Sequence, residues 1–297
     1  MKRYLAVINP AAGNGRCGVP ARRAIERLRS GGLKIDCVET QRPGEATDIV
    51  RRAYTEGRRA FIAAGGDGTG YELINGLFPE SLDQGRVTLG LLPFGTGNAF
   101  MRQFSAEPAG HSIEAMLEGR SRACDVIRLT HNGGDVYYIN ILGFGFVADV
   151  NIRASRHLKG IGVAAYALAV IACIVGLRSR RLPIRLDGGP WRCRPHTFIS
   201  VSNSRYTANM LIAPAADPSD GIAEVLHVGP LGRLGLLRAF PRIFKGTHVK
   251  HPPVEAYRAR QVEFDTDRPV DVTIDGEIER LIPGQLEVLP GAFDVHA

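Results

Sequence analysis

Over the first 120 or so residues, short apolar runs alternate with amphipathic stretches, and that alternation leaves the fold little freedom. YLAVIN (4–9), KIDCVET (34–40), RAFIAA (59–64) and VTLGLLP (87–93) have the length and branched or aromatic content of strands. Between them the apolar positions recur at helical spacing: Ala21, Ile25 and Leu28, then Ala46, Ile49, Val50 and Ala53, then Leu73, Ile74 and Leu77. Strands separated by single helices pair in parallel, because a crossover helix returns the chain to the same sheet edge. The expectation is a doubly wound α/β domain over residues 1–122 with a mainly parallel sheet.

The pattern changes near residue 123. CDVIRLT, VYYINILGF, TFISVSNS, IAEVLHV, QVEFDT, VDVTID and LEVLP are strand-like runs broken by Gly, Pro, Asn and Asp, with little helix between them. A mostly antiparallel, β-sandwich-like domain over 123–297 is expected, with the last ten or so residues free to rejoin the first domain. Ligands commonly settle in clefts between domains, so an interdomain cleft is the default expectation.

Five scattered cysteines without a CxxC pair argue against a disulfide framework or thiolate zinc site and for a reducing compartment. The opening MKRYLAVINP reads as a strand and turn rather than a signal peptide, since Asn9-Pro10 cuts the apolar run short. The formal net charge of +7 calls for an anionic partner. The basic residues are dispersed, without aromatic interleaving or zinc-finger spacing, so nucleic acid is excluded as the expectation. IGVAAYALAVIACIVGL (161–177) is apolar but short for a membrane span, and reads as a buried or interfacial helix. LGRLGLLRAFPRIFK (231–245) is expected to place Leu231, Leu234, Leu237 and Phe240 near one face, with Arg233, Arg238, Arg242 and Lys245 available to anionic headgroups. An ordinary core-packing helix interrupted at Pro241 is the competing reading.

Three glycine-bearing loops follow strands. GNGRCG (13–18) has the GxGxxG spacing of dinucleotide sites, but Pro10-Ala11-Ala12 delays the first glycine past the strand end, so a surface turn competes with a phosphate loop. GGDGT (65–69) sits directly at a strand-to-helix junction, where amides and the helix dipole can cradle an anion. A carboxylate there points to Mg²⁺-linked phosphate chemistry or to a base for a hydroxyl; as a plain helix cap Asp67 is nearly as economical. PFGTGN (93–98) repeats the logic, and in a parallel sheet both loops reach one edge, as does Thr40. No GxxxxGK[ST] sequence is present, so this is not a P-loop.

Taken together, INPAAGNGR, GGDGTGYELINGL, LLPFGTGN, IAPAADPSDG and IDGE resemble the diacylglycerol kinase catalytic-domain family, which includes bacterial lipid kinases and sphingosine and ceramide kinases. The motifs occur in family order from residue 8 to 277. The resemblance implies ATP as donor, Mg²⁺, and a lipid hydroxyl as acceptor. It implies nucleotide contacts at Thr40, Gly65, Gly66, Asp67, Gly68, Thr69, Gly95, Thr96, Gly97 and Asn98. It further implies a structural Mg²⁺ on the Asp220 carboxylate with carbonyl ligation at Asp217 and Ile222; alone, DPSDG reads as a type I turn. Glu277 is the first choice for the catalytic base and Asp67 the second, although Asp275-Gly276 could be only a hairpin turn. Gly70-Tyr71 and SRYTANM (204–210) depart from the family pattern.

The chain is thus expected to be a cytoplasmic, peripherally membrane-associated lipid kinase, with the particular lipid and any homo-oligomer left open. A kinase of a soluble acceptor related to the NAD kinases, a non-catalytic nucleotide or lipid sensor, and a GxGxxG dehydrogenase are the competing readings.

Overall fold

The computed structural model describes residues 2–157 and 172–297. The chain forms two compact units: Met1–Val126 with Tyr137–Ile139 and Leu289–Ala297, and Ile127–Val136 with Asn140–Val288.

The first unit is built on β1 (Arg3–Ile8), β2 (Lys34–Glu39), β3 (Ala60–Gly65) and β4 (Thr88–Pro93), in the order β2-β1-β3-β4, all parallel. Helices α1 (Gly18–Ser30), α2 (Glu45–Thr55), α3 (Asp67–Leu77) and α4 (Pro108–Glu118) accompany it. Strand alternation sends neighbouring residues to two cores. Ala6, Ile8, Ile62 and Ala64 pack with Ala21, Ile25 and Leu28 of α1. Val7, Phe61 and Ala63 pack with Val50 and Tyr54 of α2 and Leu73, Ile74 and Leu77 of α3. Both faces are covered, which is why β3 is buried along its whole length. The sheet gains one further parallel strand from far along the sequence: Asp294 and Val295 pair with Thr88 and Leu89.

The second unit is antiparallel. Its main sheet runs β11 (Val254–Ala259), β10 (Ala223–Val228), β9 (Phe198–Ser202), β7 (Ile141–Gly145), β13 (Val270–Ile274), β14 (Glu277–Leu281). A second layer joins β8 (Ile184–Leu186), β12 (Gln261–Phe264) and the first half of β15 (Pro283–Val295). Phe144 and Phe264 stack across the layers at 5.1 Å. The fold is therefore an α/β unit with a mainly parallel sheet and an antiparallel, sandwich-like unit.

Local differences from the sequence reading have physical causes. VYYINILGF is not one strand: β6 (Gly134–Tyr138), which follows β5 (Arg122–His131), and β7 are separated at Ile139-Asn140. There Asn140 is buried, and its backbone and amide oxygens accept from the Asn203 and Ser204 amides and the Ser204 hydroxyl. Helix α5 (Phe146–His157) follows β7; the apolar 161–177 stretch lies largely outside the described residues. Among the described residues no helix is long and apolar enough to cross a membrane.

Helix α6 (Arg233–Ile243) is rotated relative to the sequence expectation. It buries Leu236 and Ala239, with Phe240 and Ile243 packed partly beneath, while Leu234 and Leu237 are 70% and 49% exposed. The expected Leu231, Leu234, Leu237, Phe240 face is thus corrected. Burial follows the 236, 239, 240, 243 stripe, which has the 3–4 spacing of a core-facing helix. The helix also continues through Pro241 to Ile243.

Candidate active site

The first unit brings three loops together at the C-terminal ends of its parallel strands. β3 ends at Gly65, Gly66 is extended, and α3 begins at Asp67, with the Thr69 and Gly70 amides bonded back to the Gly66 carbonyl. The loop after β4 leans directly on this turn. A Cβ on Gly95 would stand 2.3 Å from the Gly66 Cα, and the Phe94 amide donates to the Gly65 carbonyl at 2.7 Å. The loop after β1 closes the group. The Asn9 side-chain amide donates to the Thr69 hydroxyl at 3.3 Å, and the Asn9 backbone amide donates to the Ala64 carbonyl. Gly13, at φ +62°, lies where a Cβ would meet the Phe94 carbonyl at 2.7 Å. The GNGRCG stretch therefore begins with a glycine that touches the PFGTGN loop, a contact that motif spacing alone could not reveal.

Asp67 ties these loops together. Its Oδ1 accepts the Ala99 amide at 2.8 Å, so it caps the turn after PFGTGN rather than its own helix. Burial pushes its pKa up; the amides of Ala99, Phe100 and Asn98 and the charge of Arg102 pull it part of the way back. Burial thus favours the protonated carboxyl more than water would.

Other candidates take shaping roles. Asn98, in the left-handed region at φ 53°, uses its side chain in two 2.9 Å bonds to the Gly95 backbone. Thr69 is 3% exposed and occupies the space over Gly65, its Oγ1 only 2.2 Å from a Cβ built there. Thr96 is exposed, and Thr40, at the end of β2, bonds its amide to the Ile8 carbonyl. Gly68 and Gly97 are partly exposed beside them. The surface offers small hydroxyls and backbone amides around a carboxyl, an arrangement suited to phosphate oxygens.

Two residues not singled out as site residues support this surface. Asn9 joins the first two loops, and a polar residue directly at a strand end before proline was its only signal. Glu72 accepts the Gly44 and Ala46 amides, both at 3.0 Å, and so caps α2 from a neighbouring helix. No local capping pattern could announce that, because cap and helix are far apart in sequence.

The remaining candidates lie in the second unit. Asp275-Gly276 is a two-residue hairpin turn with both φ positive, which holds Glu277 exposed at the start of β14. Buried Asp275 is structural: its Oδ1 accepts the Asn140 and Ile141 amides, both at 2.9 Å. In the 217–222 loop, the Asp217 carboxylate accepts the Ser219 amide and hydroxyl. The Asp220 carboxylate accepts the Ile222 amide at 3.0 Å and the Arg258 guanidinium. The donors have the oxygen chemistry of a Mg²⁺ site, but Asp220 already carries a cation partner, so a metal ion there requires Arg258 to leave. Among the described residues no cluster of three His, Cys, Asp or Glu side chains could hold a metal. Beneath α6 lies an apolar cavity of about 60 Å³, walled by Phe146, Phe198, Met210, Leu236, Phe240 and Ile243.

Comparison with known proteins decides the family. The Diacylglycerol kinase catalytic domain matches residues 3–129, and the YegS C-terminal NAD kinase beta sandwich-like domain matches residues 140–297. The chain belongs to the diacylglycerol kinase catalytic-domain family. A diacylglycerol kinase of Mycobacterium tuberculosis (strain CDC 1551 / Oshkosh) is 30% identical over 297 residues, covering 99% of this chain and 94% of that protein. A diacylglycerol kinase of Bacillus subtilis (strain 168) is 26% identical, covering 96% and 93%. A solved structure from Bacillus anthracis str. Sterne shares the fold with a TM-score of 0.81 at 22% identity, covering 99% and 95%. Family membership makes the chain a kinase, with ATP as the implied phosphoryl donor.

Proposed function

We propose that this kinase transfers the γ-phosphoryl of ATP to the primary hydroxyl of a lipid, of the diacylglycerol or sphingoid type. The observation that carries the nucleotide half of this reading is the glycine-to-glycine contact between Gly66 and Gly95, held by the Asp67–Ala99 bond. It packs the amides of two strand-end loops onto one patch, where a triphosphate gains several donors without side chains in the way. The relatives named as diacylglycerol kinases and the apolar cavity under α6 support a lipid acceptor. At about 60 Å³ the cavity falls well short of the roughly 300–1,000 Å³ of ordinary ligand sites, so an acyl chain has to displace its walls.

In this reading Gly65, Gly66, Gly68, Thr69, Gly95, Thr96 and Gly97 surround the phosphates, with Thr40 beside them and Asn98 fixing the loop. Mg²⁺ bound with the nucleotide would supply neutralisation of the charge on the transferred group. Glu277 orients the acceptor hydroxyl and takes its proton. Asp67, occupied with the Ala99 amide, positions the loops and holds a second proton-accepting oxygen near the phosphates. A second ion at Asp217, Asp220 and Ile222 is structural and competes with Arg258. The exposed Leu234 and Leu237 beside Arg233 and Arg238 bring the enzyme to an anionic membrane surface.

Labelled ATP and a panel of lipid hydroxyls test the assignment. Transfer to a lipid is expected, with Glu277→Gln lowering kcat at least 100-fold, an effect typical of losing a general base, and leaving ATP affinity within about threefold. Transfer only to a soluble acceptor, or ATP binding without any transfer, would overturn the lipid-kinase reading.

A further inference from the structure

At the opposite end of the parallel strands from the glycine loops, the first unit has a hollow of about 500 Å³. Its wall carries Lys2 and Arg3 at the start of β1, Arg58 and Arg59 just before β3, and Arg86 just before β4, with Asp294 the single carboxylate among the lining residues. Behind it Asp36 serves two of these cations at once, its Oδ1 held by Arg3 at 2.7 Å and its Oδ2 by Arg58 at 2.6 Å. Those two guanidiniums keep the Asp36 carboxyl below its usual range. Arg86 meets Asp294 at 3.3 Å. Lys2 donates to the Thr88 hydroxyl at 2.9 Å and has no carboxylate partner among the described residues. Arg59 is spent on the carbonyls of Tyr54, Arg58 and Gln84, and lies over the Tyr54 ring at 3.9 Å. The hollow thus gathers five cations against two carboxylates. The Nη1 of Arg58 is shielded from solvent and has no hydrogen-bond partner among the described residues.

Like charges held this close repel one another, and the fold keeps them fixed from three separate strands. An anion entering the hollow relieves that repulsion. Guanidinium forks match the oxygens of a phosphate group in pairs, whereas a monatomic ion such as chloride offers a single acceptor centre. The volume lies within the range of small-molecule sites and exceeds what a bare phosphate fills, so the carrier of the phosphate has room too. The site is not the nucleotide surface seen from another side. β3 connects the two, and six strand residues span roughly 20 Å.

The geometry points to this hollow as a second anion site, one that takes a phosphorylated ligand at the N-terminal edge of the sheet, separate from the nucleotide loops. The chemistry is the same for a free phosphorylated small molecule and for a phospholipid headgroup. The inference does not depend on the lipid-kinase reading.

The test uses the intact chain in two arms. In the first, inorganic pyrophosphate is titrated calorimetrically with ADP already saturating the nucleotide loops. In the second, flotation with phosphatidylcholine vesicles containing phosphatidic acid is compared with phosphatidylcholine alone. Both are repeated with Lys2→Gln/Arg86→Gln, whose thermal unfolding is recorded alongside, and with Arg233→Gln/Arg238→Gln, which removes equal charge from α6. Lys2→Gln/Arg86→Gln is expected to weaken binding roughly tenfold or more in at least one arm, the scale of losing charge-assisted contacts, while the α6 variant leaves pyrophosphate affinity unchanged. Loss in the pyrophosphate arm identifies a soluble phosphorylated ligand; loss confined to vesicles identifies a headgroup. Should Lys2→Gln/Arg86→Gln prove unstable, Arg3→Gln replaces it in the same two arms. No binding in either arm, or binding that all variants retain equally, overturns the proposal.

Discussion

Single atoms decide much of the candidate site. Gly95 and Gly66 approach so closely that a methyl on Gly95 would meet backbone, which cannot rotate away. Gly95→Ala is therefore expected to cost about 1–3 kcal/mol, seen as a lower urea midpoint, together with a loss of ADP affinity in a calorimetric titration. Gly70 is the control. It lies within α3 with nothing within 4 Å of a built Cβ, so Gly70→Ala should leave stability unchanged or raise it by up to about 1 kcal/mol. That the glycine clusters mattered was legible from their place at strand ends. Why they are glycine was not: Gly95 makes room for a second loop and Gly65 for the Thr69 side chain, packing that a place at a strand end does not by itself reveal. Asp67 shows the same boundary, since its capping chemistry could be read but its partner, the Ala99 amide, could not.

Whole elements carry two further expectations. Helix α6 turns Leu234 and Leu237 outward. Leu234→Glu/Leu237→Glu should abolish flotation with anionic vesicles while leaving the unfolding midpoint unchanged, since neither side chain is part of the core. The helix itself was legible from its apolar content, but its phase was not, because five leucine, alanine and phenylalanine positions allow more than one stripe and only packing chooses. The short strand Pro195–His196 carries a second device. Burial, then the neighbouring His227 ring at 6.0 Å, hold His196 down to about 4 from an ordinary 6.5. The unfolded chain takes up that proton readily and the folded chain refuses it. Stability from this source is complete above about pH 6.5 and is lost as pH falls toward 4, by about 2–3 kcal/mol. Urea melts at several pH values should show this slope, and His196→Gln should make it shallower, the buried His227, His248 and His296 keeping the remainder.

At the scale of the molecule, the alternation of strand and helix was enough to read the α/β unit, and the Gly- and Pro-punctuated runs enough to read an antiparallel one. The order of the antiparallel strands was not readable, because register across six strands is set by side-chain packing rather than by any single turn. The division of the chain is subtler still: the first unit is assembled from three separate stretches. Its last stretch contributes the fully buried Phe293 and Val295 and the pairing to β4. Deleting Leu289–Ala297 removes both side chains, each worth roughly 2–5 kcal/mol in a core, and should abolish cooperative melting of the first unit, as followed by hydrogen exchange.

The interrupted layout also imposes an order of events during biosynthesis. A ribosome releases the glycine loops early, yet the sheet that holds them stays one strand short until the stretch carrying Asp294 and Val295 has also emerged. The open side of β4 is therefore left waiting while the whole intervening unit is made.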